Sequence, residues 1–146
     1  MIVALKSSER TVASVICNLP NGECFINDGG ETYRRFLFHP ERLSINRALR
    51  PLVGIFERAY ANPKAAELLH QKRIKFRSPG ALAISLAYAH SVRFVLAIGK
   101  LREYDIIAGL HLNEDLYTHL SERLLIISKD KEVFEQLVTL FAEGNS

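Results

Sequence analysis

Apolar and polar positions alternate with a period of two over the first forty residues, and recur near the helical period of 3.6 over most of the rest. "IVAL" at 2–5 opens as a strand, and "TYRRFLF" at 32–38 closes the β-like region. Between them, "TVASVICNLPNGECFIN" carries β-branched and aromatic runs on both sides of Leu19-Pro20-Asn21-Gly22. Proline at the first central position and glycine where a positive φ is needed predict a hairpin, with Asp28-Gly29-Gly30 as the next turn. A type I turn with a glycine bulge sets Asn18 opposite Cys24 and Cys17 opposite Phe25, sending the two sulfurs to opposite faces. A two-residue Asn21-Gly22 turn would instead keep them on one face.

From Pro40 onward the period lengthens. Ile45, Leu49, Leu52, Val53, Phe56 and Tyr60 fall at helical spacing, which predicts a helix kinked at Pro51. Asn62-Pro63 opens the next, "PKAAELLHQKR". "PGALAISLAYAHSVRFVLAI", at 79–98, is apolar nearly all round and predicts a central helix. Its length would fit a bilayer, but Arg93 at that depth costs roughly 3 kcal/mol, so a membrane span is rejected. "KLREYDIIAGLHL" continues as helix, Asn113 caps another over "EDLYTHLSER", and "LLIIS" at 124–128 is a short strand. A last helix, "KDKEVFEQLVTLFAEG", is expected to end at Gly144. Together these elements predict an α+β fold: a small antiparallel N-terminal sheet, built on the hairpin and covered by a helical C-terminal part with a central apolar helix. One domain is expected over 1–146, with 1–38 mainly β and 40–146 mainly α around the strand at 124–128.

Composition narrows the classes. A chain of 146 residues with 48% hydrophobic and 24% charged residues is an ordinary globular chain rather than a disordered one. Two cysteines cannot form a disulfide framework, and "MIVALKSSER" turns polar too soon for a secretion signal, so a cytoplasmic protein is expected. A net charge of +3 permits an anionic partner without requiring one.

The most pronounced charge feature is "HQKRIKFR", where Lys72, Arg73, Lys75 and Arg77 precede a helix start, with Arg34 and Arg35 as possible extensions. Cations beside free helix N–H groups suit a phosphate or a nucleic-acid backbone. His111, Asp115 and His119 lie four apart and would share a face only on an unbroken helix, where they would form a metal candidate. No serine elbow, phosphate loop, dinucleotide fingerprint or helix-turn-helix can be laid on the chain. The reading that follows is a non-enzymatic binding or assembly module without a cofactor. It self-associates through the 79–98 segment or the hairpin edge, and takes an anionic partner such as nucleic acid.

One partial likeness gives the alternative. "YDIIAGLHL" followed by "LLIISKDKEVFEQL" resembles the C-terminal part of PIN-type ribonuclease domains. That resemblance implies that Asp105 and Asp130 help bind Mg²⁺ in a metal-dependent nuclease. It also implies an acidic residue at the end of the first strand, where this chain has Lys6 and Ser7.

Overall fold

The computed structural model describes residues 1–142 and has two five-stranded sheets. The first is an antiparallel meander in chain order: β1 (Ile2–Ser7), β2 (Arg10–Asn18), β3 (Glu23–Asn27), β4 (Tyr33–Phe36) and β5 (Leu43–Ser44). Ser8 and Glu9 join β1 to β2 with φ of 51° and 70°, a mirror-image turn whose twist suits flanking strands. The β2–β3 connection is neither of the two turns expected from sequence. All four residues Leu19–Gly22 loop out, Gly22 N donates to Asn18 O at 2.8 Å, and Asn18 pairs with Glu23. Cys17 therefore lies directly opposite Cys24, and the two are joined as a disulfide on one face.

The second sheet is mixed, in the order β7-β6-β8-β10-β9. Its strands are β6 (Gly54–Glu57), β7 (Phe76–Arg77), β8 (Val95–Ile98), β9 (Tyr117–Ser121) and β10 (Leu124–Ser128). β6 runs parallel to both β7 and β8, and β10 runs antiparallel to both β8 and β9. The helices are α1 (Pro63–Gln71), α2 (Leu82–Ala87), α3 (Glu103–Leu112) and α4 (Lys131–Phe141). The expected helix end at Gly144 lies outside the described residues. Among those residues, no helix is long and apolar enough to cross a membrane.

The α+β class holds, but the second half carries a full sheet rather than one strand among helices. Three expected helices give way. Within 45–60, Gly54–Glu57 is instead a fully buried strand between two neighbours, a setting that favours unbroken apolar runs over alternation. The expected 79–98 helix divides into α2, a 3-10 turn at Ala89–Ser91 and strand β8, whose "VLAI" is equally a continuous apolar run. Within 114–123, Tyr117–Ser121 forms an edge strand. The buried strand β10 needs backbone partners on that side, and a tight turn at Glu122-Arg123 supplies them by setting Ser121 opposite Leu124.

The layers follow from which face each side chain takes. Leu69 of α1 and Val133 and Leu137 of α4 pack on one face of the second sheet, against Phe56, Phe94, Leu96 and Ile126. Leu86 of α2 and Ile106 of α3 pack on the other face, against Ile55, Val95, Leu125 and Ile127. The opposite sides of α2 and α3, at Ala87, Ala108 and Leu112, meet Ile16 and Phe25 of the first sheet. The order is thus sheet, helix pair, sheet, helix pair. Of the 79–98 segment, Leu86, Ala87, Ala89 and Phe94–Ala97 are buried within the chain, while Leu82, Ala83, Ile84 and Val92 are half-buried.

Candidate functional site

β6 and β8 are adjacent and parallel, yet the helices that follow them pack on opposite faces, α1 on one and α3 on the other. In open sheets of this kind the usual ligand position is the crevice beyond the carboxyl ends of two such strands. Its walls are the loops 58–62 and 99–102, with the 78–81 loop and the start of α2 beside them.

Hydrogen bonds fix these walls. Glu57, the last residue of β6, is 3% exposed; it accepts from Ser85 Oγ at 2.6 Å and from Gly80 N at 3.1 Å. A buried carboxylate demands such donors, and here they tie the 78–81 loop to the strand end. Arg58 adopts the left-handed region at φ 63° and donates through Nη1 to Lys100 O at 2.6 Å. Gly99, at φ 131°, lets the loop pass this side chain: a Cβ there would stand 3.2 Å from Arg58 Nη1. Asn62 precedes Pro63 as the sequence led one to expect, yet its amide makes no cap. Instead Nδ2 donates to Arg58 O at 2.9 Å and Ile98 O at 3.1 Å, clamping the two loops together.

The first turn of α3 completes the end wall and carries Glu103 and Asp105. Lys6 Nζ reaches Glu103 Oε1 at 2.6 Å, and this bond with its charge holds the Glu103 carboxyl below the ordinary range. Arg102 precedes the helix without a side-chain cap, so the Glu103 and Tyr104 N–H groups at the helix start stay available to an anion. A cleft of about 560 Å³, lined by Lys6, Leu101, Glu103, Ile106 and Glu122, opens beside it.

The residues singled out from sequence are mostly dispersed. Arg73 sits at φ 58° just past the Lys72 cap of α1, where Ile74 N closes back on Leu69 O at 2.9 Å. Arg77 is on the edge strand β7, and a cleft of about 450 Å³ runs along Arg73, Lys75 and Arg77. Arg34 and Arg35 belong to β4 in the other sheet, where Arg34 pairs with Glu23 at 2.9 Å. His111 binds Ser14 Oγ at 2.7 Å, Asp115 pairs with His90, and His119 lies on β9, so the proposed metal face does not form. Among the described residues, no three His, Cys, Asp or Glu side chains come together to hold a metal ion. Asp105 lies past the Ile98 end of β8 and Asp130 past the Ile127 end of β10. Ile98 pairs with Leu124 and Ile127 with Val95, so the two aspartates occupy opposite ends of the sheet. Asp130 pairs with Arg93 at 3.3 Å and caps α4 instead.

No family model matches the chain, and no curated protein matches it by sequence. Solved structures do match by fold. SuhB from Mycobacterium tuberculosis superposes with a TM-score of 0.72 at 16% identity, over 99% of this chain and 63% of its own. The extragenic suppressor protein SuhB of Bartonella henselae gives 0.70 at 21% identity, over 98% and 61%. CysQ from Bacteroides thetaiotaomicron, described as a bacterial member of the inositol monophosphatase family, gives 0.67 at 14%, over 89% and 62%. The fold is inositol monophosphatase-like. At these identities the likeness concerns the fold, and the chain spans about three fifths of the length of those structures. It nevertheless overturns both functional expectations from sequence. A non-enzymatic module and a PIN-type nuclease give way to a fold shared with phosphatases, and the separation of Asp105 from Asp130 removes the ligand pair on which the nuclease rested.

Proposed function

We propose that this chain belongs to an enzyme that hydrolyses small phosphate monoesters, with its reaction centre in the crevice beyond β6 and β8. The observation that carries the proposal is the fold match over nearly the whole chain to structures of the inositol monophosphatase type. A crevice at the switch point of the sheet and an uncapped helix start aimed at it support the same reading.

The phosphoryl group would rest against the N–H groups at the start of α3, with Lys100 and the remaining guanidinium donors of Arg58 offsetting its charge. Asp105, on the first turn, is the carboxylate placed to accept a proton from water as its oxygen attacks phosphorus. The ester P–O bond breaks, inorganic phosphate forms, and the departing alkoxide takes a proton from solvent. The described residues do not gather a metal-ligand set, so no step passes through a metal. Glu57 and Asn62 position the loops and do not touch substrate.

Phosphate release from a panel of sugar, polyol and nitrophenyl monoesters, assayed with and without added Mg²⁺, tests this. Turnover is expected, and Asp105→Asn should lower kcat by about 100-fold or more at an unchanged melting temperature. Failure to release phosphate from every monoester would overturn the proposal. We also propose residence in a reducing cytoplasm, where the Cys17–Cys24 disulfide of this structure would be opened to two thiols. Alkylation of freshly lysed cells followed by mass spectrometry reads their state, and a disulfide protected from alkylation would contradict that placement.

A further inference from the structure

The other end of the second sheet holds a set of groups that the reaction centre does not use. Lys129 follows β10, and its Nζ is buried without a hydrogen-bond partner among the described residues. Burial, and then the like charges of Arg50 and Arg47, hold its ammonium below the ordinary lysine value. Close by, His90 is 3% exposed; its Nε2 lies 3.0 Å from Asp115 Oδ2, while its Nδ1 is buried and equally unpartnered. The same Asp115 oxygen accepts from Arg47 Nε at 3.4 Å. Arg50 Nη1 is turned onto the backbone oxygens of Arg47 and Leu49, at 2.9 and 3.1 Å. The next carboxylate, Asp130, is already engaged by Arg93 at 3.3 Å and by the start of α4.

Lys129 thus feels the charge of both arginines, Arg50 is held against the Arg47 backbone, and Asp115 is already shared between Arg47 and His90. A folded chain normally pairs a buried charge, because one without a partner loses its hydration and gains nothing in exchange. The chemistry of these groups suits an oxyanion, which takes a point charge from lysine and planar forks from arginine and offers acceptors on every side.

We propose that Arg47, Arg50 and Lys129 form a binding site for a phosphate group, at the end of the second sheet remote from the β6/β8 crevice. The phosphate is either the free ion or the phosphoryl end of a larger metabolite. Nothing in this assignment depends on the hydrolytic reading.

Thermal denaturation in inorganic phosphate, against chloride at the same ionic strength and pH, tests it. The melting temperature of the parent protein should rise with phosphate concentration. Lys129→Met should melt higher than the parent in phosphate-free buffer, since it removes the unpaired ammonium, and should lose at least half of the phosphate-dependent rise, any remainder being phosphate held at the start of α3. Arg50→Ala, at an exposed position, should fold normally and reduce the rise by at least half, and it decides the matter if the methionine variant fails to fold. Repeating the titration with glycerol phosphate in an Asp105→Asn background, where the ester is not turned over, separates the free ion from an esterified one. A parent protein indifferent to both phosphates, or a rise in Lys129→Met and Arg50→Ala as large as the parent's, would overturn the assignment.

Discussion

Gly109 faces Leu86 across the contact between α3 and α2, and a Cβ at this position would lie 2.6 Å from the leucine Cβ. Gly109→Ala should therefore force the helices apart and cost about 1–3 kcal/mol, read as a lower urea midpoint at an unchanged m-value. Asp115 sets a pH response. Burial opposes its ionisation, but the hydrogen bond and charge of His90, together with Arg47, outweigh that and hold the carboxyl below its ordinary 3.8. A lowered folded-state value means that the contribution is fully present above the unfolded value and is lost as pH falls through the folded one. The stability gap between the parent and Asp115→Asn should be present at pH 5 and close as pH falls below about 4, measured by denaturant melts across that range. At this scale the sequence is legible where chemistry is local. Asp130 caps α4 as its position after a strand suggests, and Asn62-Pro63 opens α1. Glu57 was not legible, because its partner Ser85 stands 28 residues away and a lone acid in "GIFER" looks like the wet side of a helix.

At the scale of elements, periodicity succeeds where one face of a strand or helix stays wet. The N-terminal meander and α4, each with a polar side, match the expected spans closely. It fails at β6 and β8, which are wholly or almost wholly buried, so that "VLAI" and "GIFE" lack an alternating signal; β10, equally buried, is found as expected at 124–128 because its run is short and β-branched. The crevice went unseen for the same reason, since it exists only once β6 and β8 are known to be parallel neighbours. Asp130 joins two elements, accepting from Val133 N at 3.3 Å while holding Arg93. Asp130→Ala should cost about 1–2 kcal/mol, seen as a fall of a few degrees in melting temperature. The disulfide between β2 and β3 closes a short loop, with a sequence separation of 7. Reducing it should lower the unfolding free energy by about 2 kcal/mol, less than for a longer loop, as compared in denaturant melts with and without dithiothreitol.

For the whole molecule, the alternation of sheets and helices places every helix against the second sheet and gives α2 and α3 a second contact, with the first. The two ends of the second sheet are then chemically distinct: loops and a helix start with Glu103 and Asp105 at one, a buried lysine ammonium with Arg47 and Arg50 near it at the other. The doubly covered position of α2 and α3 has a practical consequence for anyone cutting the gene. A chain severed between Arg50 and Gly54 would yield a meander with its inner face stripped and a remainder whose middle helices lie bare along one side. Neither fragment should persist in isolation, and the two mixed together should reassemble.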